Sequence, residues 1–346
     1  MFRWSLVAMV GMLSVAAEDF TEYGPYVGTT KIYGHTMPSS TGCSGWDCNI
    51  KVTVTKPDGH AAEEDLFERE APFPVIFMFN AFQSYASYYR HYVEHLVSFG
   101  YVIVQYDTKK LCILTDKTEA AYFPHLLEWV KGLNEESGGF LSGLVDFDRV
   151  GVAGHSRGGK LAALHTARMD IVKAAYLIDP VDNDGHFAKE SEDYPSAAKA
   201  LVGRNKRIGV VGSGITGRCN PDGANYKEFW GALGHGSWLT VIQSAGHCQY
   251  ISAPPLFEWA MGVLCGHGGG SCEEVITVTR PGMAAWFEKS FRGLSTQKAN
   301  SLMSQNGGLL DAFFDWVEHM EEKQVLDFDV KGQQKPFGGE KYFPQT

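Results

Sequence analysis

146-DFDRVGVAGHSRGGKLAALHTARMD-170 joins three local patterns without interruption. Val150-Gly151-Val152-Ala153 is a short apolar run of the kind that forms a strand covered on both faces. Gly154-His155-Ser156-Arg157-Gly158 then sets two glycines around a serine, and Leu161, Ala162, Ala163 and Leu164 follow as a helical pattern. A buried strand that turns sharply into a helix lifts the central serine clear of the sheet, the arrangement called a nucleophile elbow. Side chains at Gly154 and Gly158 would collide with the turn or the neighbouring strand.

The chain on either side supplies the sheet that such a turn needs. Upstream, residues 73–79 (FPVIFMF) are nearly all apolar and predict a strand covered on both faces, with Asn80-Ala81-Phe82-Gln83-Ser84 at its carboxyl end. Residues 85–98 predict a helix and 101–105 the next strand; residues 50–55 alternate and predict an early antiparallel strand. Residues 18–49 are rich in Gly, Tyr and Thr and read as an irregular N-terminal crossing. Downstream, strands are expected over 149–153, 174–178, 207–212 and 238–243, with a further one over 274–279. Helices are expected over 120–136, 158–169, 255–264, 281–291 and 307–320, before a polar tail from about 321. Strands alternating with helices or loops predict an α/β fold: a mostly parallel central sheet with helices on both faces, in one domain over 18–346.

Composition narrows the function classes. The 346 residues are 44% hydrophobic with a formal net charge of -10 and no long basic run, which argues against a nucleic-acid partner. Residues 1–17 have one positive charge, an apolar segment and small residues before Glu18-Asp19, and read as a cleaved signal peptide that directs the chain into the secretory pathway. Seven cysteines fit that oxidising route. Proximity along the chain suggests Cys43 with Cys48, Cys265 with Cys272 and Cys219 with Cys248, leaving Cys112 free. Only one C-x₂₋₄-C hook occurs, Cys43 to Cys48, where a four-cysteine metal site wants two, and there is no N-x-S/T sequon.

A serine hydroxyl is a poor nucleophile until a base takes its proton, and a third group must hold that base in one tautomer. An α/β hydrolase carries these in the order serine, acid, histidine. After Ser156 the chain offers Asp179 at the end of a buried strand and His247 just past the last strand, both where open sheets hold their ligands. Asp182, Asp184 and Asp222 compete for the acid, and His186, His235 and His267 for the base; His155, inside the elbow, is expected to pack beneath the nucleophile. Backbone N–H groups of Arg157 and Phe82 are the expected oxyanion donors, which leaves the Arg157 side chain free for surface or substrate contacts. This chemistry needs neither a metal nor an organic cofactor.

The run Ala153-Gly154-His155-Ser156-Arg157-Gly158-Gly159-Lys160 resembles the GHSRGG lipase-type motif of chlorophyllases. Ile178-Asp179-Pro180-Val181-Asp182 resembles that family's acid segment, whose first aspartate is the triad member, and Gly246-His247 falls where the family places its histidine. The FPVIFMF strand and the SYYRHYVEHLVSFGYVIV block are similar to its first core strand, helix and next strand, and the likeness runs over roughly residues 45–260. One departure stands out: Asn80-Ala81 replaces the usual His-Gly before the aromatic residue of the oxyanion loop. The resemblance implies hydrolysis of the phytyl ester of chlorophyll to chlorophyllide and phytol, with the magnesium belonging to the substrate.

Such a substrate asks for a broad apolar mouth, for which Phe82, Tyr85, Tyr88, Tyr89, Phe257 and Trp259 are candidates. Aromatic residues at helical spacing more often pack into a core. The resemblance and the leader together imply a plastid reached through the secretory route and peripheral membrane association, with no obligate protein partner; the leader alone implies a secreted or vacuolar protein. Two alternatives stay open, an esterase or lipase acting on another hydrophobic ester and a non-catalytic binder of a hydrophobic ligand.

Overall fold

Seven consecutive buried residues, Phe73–Phe79, form β3, the first fully enclosed strand of the computed structural model, which describes residues 22–58, 71–109, 113–183, 189–292 and the backbone of 330–334. Its side chains divide by parity, as a pleated strand requires. Val75, Phe77 and Phe79 enter one core layer, and Ile76 and Met78 enter the other.

Among the described residues nine strands make one sheet. The others are β1 (Val27–Thr36), β2 (Asn49–Asp58), β4 (Val102–Asp107), β5 (Val145–His155), β6 (Val172–Ile178), β7 (Gly209–Ser213), β8 (Trp238–Ile242) and β9 (Val330–Gln334), in spatial order β1-β2-β4-β3-β5-β6-β7-β8-β9. From β4 to β8 all neighbours are parallel, while β1, β2 and β9 join antiparallel at the two edges. The helices are α1 (Arg90–Ser98), α2 (Asp116–Ala120), α3 (Tyr122–Glu135), α4 (Arg157–Arg168), α5 (Ala197–Leu201), α6 (Tyr226–Ala232), α7 (Pro255–Cys265) and α8 (Cys272–Phe291). Phe123 and Leu126 of α3 and Leu161 and Leu164 of α4 fill one face. Val93 and Leu96 of α1 and Met283, Trp286 and Phe287 of α8 fill the other. This is the α/β-hydrolase fold. The strand order reverses between β3 and β5, so a crevice opens at their carboxyl ends, where the loop after β3 meets the turn after β5.

Three expectations give way to tertiary contacts. Residues 27–36, read as irregular, form β1, whose ladder runs from Val27 opposite Asp58 to Thr36 opposite Asn49. Most of its side chains are exposed, so pairing rests on the backbone and leaves little hydrophobic alternation to read. Residues 274–279, read as a strand from their β-branched run, lie inside α8. Ser271 and Glu274 exchange side-chain and backbone hydrogen bonds in a capping box, and burial of Val275, Ile276 and Val278 outweighs strand propensity. The segment read as a polar tail contributes β9, which pairs with β8 along its whole length.

Cysteine pairing differs as well. Cys43 pairs with Cys48, but Cys219 pairs with Cys265, and Cys248 and Cys272 are free thiols. The reason is the course of α7, whose end returns against the loop after β7 until the Cys219 and Cys265 Cα atoms are 4.9 Å apart. Burial pushes the Cys248 thiol up to about 12 and that of Cys272 to about 11. The leader over 1–17, Cys112, Asp184, His186 and the helix over 307–320 lie outside the described residues. Among those described, no helix is long and apolar enough to cross a membrane.

Candidate active site

The turn from β5 into α4 leaves no room for side chains beside the serine. A Cβ on Gly154 would lie 2.3 Å from the Gly158 carbonyl oxygen, and one on Gly158 would lie 2.2 Å from that of Phe79. Ser156 has φ 57° and ψ -122°, a backbone conformation that costs a non-glycine residue energy and persists because its surroundings hold it. Its N–H donates to Ile178 O at 3.0 Å, and its carbonyl accepts from Val181 N at 3.3 Å.

Chain order along the sheet brings three candidates together. His247 Nε2 lies 2.9 Å from Ser156 Oγ, and its Nδ1 lies 2.6 Å from Asp179 Oδ2. All three are buried, Asp179 completely. Asp179 follows β6 directly and also takes positive φ (36°), which turns its carboxylate across the end of β7. There Oδ1 accepts from Ser213 N at 2.9 Å, and Oδ2 accepts from Ser213 Oγ at 2.7 Å and Asn220 Nδ2 at 3.2 Å. Burial alone would raise this carboxyl, but the His247 and Ser213 hydrogen bonds outweigh it and hold it below the ordinary carboxylate range. Ser213 and Asn220 were not singled out from sequence. Neither sits in a recognisable motif, and both matter only because β7 lies beside β6.

The competing residues have other occupations. Asp182 accepts from Ser196 Oγ at 2.6 Å and from the amides of Ala197 and Ala198, the start of α5. Asp222 is exposed and pairs with Lys227. His235 is exposed and precedes β8, at the opposite end of the sheet from Ser156, and His267 is an exposed loop residue.

The oxyanion loop is anchored despite its Asn80-Ala81 sequence. Asn80 Nδ2 donates to Tyr106 O at 2.7 Å and to Asp107 Oδ1 at 3.2 Å. The Ala81 N–H donates to Tyr89 Oη at 2.9 Å, so that amide is committed and Phe82 offers the next N–H in the loop. Arg157 is the first residue of α4, where a backbone N–H has no intrahelical acceptor. With the serine and histidine already in contact, this arrangement can activate the hydroxyl and receive a developing oxyanion.

Two expectations about side chains are corrected. Tyr89 is fully buried, its hydroxyl held by the loop and by His155, so it is not part of a substrate-facing surface. Arg157 is not free either: it binds Asp116 through Nε at 2.6 Å, Glu119 through Nη1 and Leu114 O through Nη2 at 3.0 Å. Phe82 and Tyr85 are exposed, and the Tyr88 ring meets Tyr85 edge to face and Phe257 at a tilt, with ring centroids 5.5 and 5.6 Å away. Trp259 projects outward from α7 at 68% exposure.

Burial also sets a pH dependence. Desolvation, with the neighbouring His247 for one and Arg168 for the other, lowers His155 and His165 to about 3 each. Both groups bind protons more readily in the unfolded chain, so their stabilisation is complete above the ordinary histidine value and is lost as pH falls from about 6.5 toward 3. The expected loss between pH 7 and pH 5 is about 2 kcal/mol per histidine. Urea unfolding at the two pH values checks this, and His165→Leu should remove about half of the pH effect.

Comparison with known proteins places these features in context. Residues 67–318 match the family model described as Chlorophyllase. Over 204 residues the chain is 26% identical to Chlorophyllase-2 of Arabidopsis thaliana, covering 53% of this chain and 62% of that protein. Over 214 residues it is 24% identical to Chlorophyllase-1 of the same plant, covering 57% of this chain and 65% of that one. The chain thus spans just under two thirds of the length of these curated relatives. Among solved structures, a ferulic acid esterase from Streptomyces cinnamoneus superposes with a TM-score of 0.55 at 17% identity, over 79% of this chain and 93% of the other. At that identity the likeness is one of fold.

Proposed function

The chain belongs to the chlorophyllase family, and from that premise we propose that it is a serine carboxylic-ester hydrolase that cleaves the phytyl ester of chlorophyll. The observation that carries the chemistry is the His247 ring, which bridges Ser156 Oγ at 2.9 Å and Asp179 Oδ2 at 2.6 Å. In the proposed reaction His247 Nε2 takes the hydroxyl proton as Ser156 Oγ attacks the ester carbonyl carbon. Asp179 holds Nδ1–H and stabilises the imidazolium that forms. The carbonyl oxygen becomes an oxyanion facing the N–H groups of Arg157 and Phe82. Collapse breaks the bond to the phytyl oxygen, His247 returns its proton to that leaving oxygen, and phytol departs. A water deprotonated by His247 then attacks the acyl carbon, the bond to Ser156 Oγ breaks, and His247 returns the proton to Oγ as chlorophyllide leaves.

Family membership supports the pigment ester as substrate, and the surface beside the serine suits it. Phe82 in the oxyanion loop and Tyr85 just after it are exposed, and the edge-to-face and tilted contacts of Tyr85, Tyr88 and Phe257 continue that aromatic surface to α7. Leu256, Trp259 and Val263 extend an apolar stripe along the outer side of α7. A flat macrocycle and a long hydrocarbon chain both gain from burying such area.

The test is incubation of the purified protein with chlorophyll and chromatographic detection of chlorophyllide and phytol. Release of both is expected. Cleavage of acyl lipids without chlorophyllide would keep the ester hydrolase and discard the pigment substrate.

A further inference from the structure

His155, the residue before Ser156, is 1% exposed and holds no part of the charge-transfer line between serine, histidine and aspartate. Its two ring nitrogens nevertheless face the two loops that the reaction depends on. Nδ1 lies 3.1 Å from Tyr89 Oη, and Nε2 lies 3.0 Å from the carbonyl oxygen of His247. Tyr89 Oη in turn accepts from the N–H of Ala81, the neighbour of Phe82, at 2.9 Å.

The donor directions along this path are determined by chemistry. A carbonyl oxygen only accepts, so His155 Nε2 carries the proton toward His247 O. The remaining nitrogen of a neutral imidazole, Nδ1, is then an acceptor and receives a hydrogen bond from the Tyr89 hydroxyl. Tyr89 Oη is left with lone pairs for the Ala81 N–H and for the Ser84 hydroxyl beside it. Burial keeps the Tyr89 phenol protonated and the His155 ring neutral, as this pattern requires.

We propose that Tyr89 and His155 are positioning residues: a buried hydrogen-bond relay, Ala81 N–H to Tyr89 Oη, Tyr89 O–H to His155 Nδ1 and His155 Nε2–H to His247 C=O, that holds the oxyanion loop and the backbone of the base in register with the nucleophile. The inference rests on the ester-hydrolase reading above. Each end reaches a different strand: Ala81 follows β3, His155 closes β5 and His247 follows β8. Sheet hydrogen bonds align the strands but stop short of these loops, so the relay supplies the cross-connection. A site must keep its donors and base within fractions of an ångström of the reacting geometry, and loss of one link lets two loops drift at once.

The experiment measures kcat and KM on a soluble p-nitrophenyl ester for the wild-type protein, Ser156→Ala, Tyr89→Phe, His155→Leu, His155→Gln and the Tyr89→Phe/His155→Leu double variant, with thermal unfolding of each. Glutamine carries an acceptor and a donor separated by one carbon, as the imidazole does, so it can close the relay; leucine cannot. Tyr89→Phe and His155→Leu are each expected to lower kcat about tenfold with KM within about twofold. Because both cut one relay, the double variant should be about as slow as the slower single rather than about a hundredfold down. His155→Gln should recover most of the loss. Unchanged kcat in Tyr89→Phe, multiplicative losses in the double variant, or equal losses with leucine and glutamine would each overturn the relay. Tyr89→Phe changes one hydroxyl and decides alone if His155→Leu does not fold. Wild-type turnover no faster than Ser156→Ala would instead overturn the hydrolase reading itself.

Discussion

Ser156→Ala is expected to lower kcat on an activated ester by roughly a millionfold while leaving the fold in place. The size follows from what the hydroxyl does in the proposed mechanism. Without Oγ no acyl-enzyme forms, and His247 and the oxyanion donors act only on adventitious water. The structural cost is small, because the turn is held through its backbone: Ser156 N to Ile178 O, Val181 N to Ser156 O and Lys160 N to Ser156 O. Loss of the contact to His247 Nε2 should cost about 1 kcal/mol of stability. Alanine at φ 57° bears the same strain that serine already bears. Steady-state kinetics beside urea unfolding separate the two quantities. Turnover within about tenfold of wild type would remove Ser156 from the nucleophile's role.

Arg157→Met is expected to destabilise the protein by about 3–5 kcal/mol, more than removing any exposed charge. Arg157 and Lys160, one turn apart on the first part of α4, face Asp116 and Glu119 of α2 across a largely buried boundary. Lys160 also reaches Asp182 at 3.4 Å, and Tyr106 donates to Glu119 at 3.1 Å. Burial works against the Arg157 charge, but Glu119 and Asp116 more than compensate and hold the guanidinium ionised. Methionine would fill similar volume and leave the Asp116 and Glu119 carboxylates without the guanidinium, with Lys160 shared between Asp116 and Asp182. The penalty is then the uncompensated charge rather than the lost bond, a distinction that a second variant tests. Adding Asp116→Asn and Glu119→Gln to Arg157→Met should restore much of the stability; if the triple variant is less stable still, the explanation fails. Arg157→Lys keeps the charge but not the two-sided fork and should fall between.

The central strands and the elbow were legible because their signals are local. A strand covered on both faces must be apolar throughout, as residues 73–79 are, and a turn this tight admits only glycine at 154 and 158. Asp179 and His247 could be named because chain order and the position at strand ends restrict the choice, although Asp182 and His235 remained rivals on the same signal. What separated them was location: Asp182 caps α5, and His235 is at the wrong end of β8.

Sequence by itself determined the layered α/β architecture, the strand–serine–helix turn and the residue types from which a Ser–His–Asp contact is built. Each of these depends on contacts within a few residues or on the periodicity of burial. Only the tertiary structure decided that 274–279 is helix, that Cys219 meets Cys265, that Arg157 is locked to α2, and that Tyr89 and His155 link two loops beneath the serine. Those outcomes join residues tens of positions apart whose own chemistry is compatible with several partners. The packing of the whole sheet selects among them by bringing one pair within bonding distance and carrying the others away.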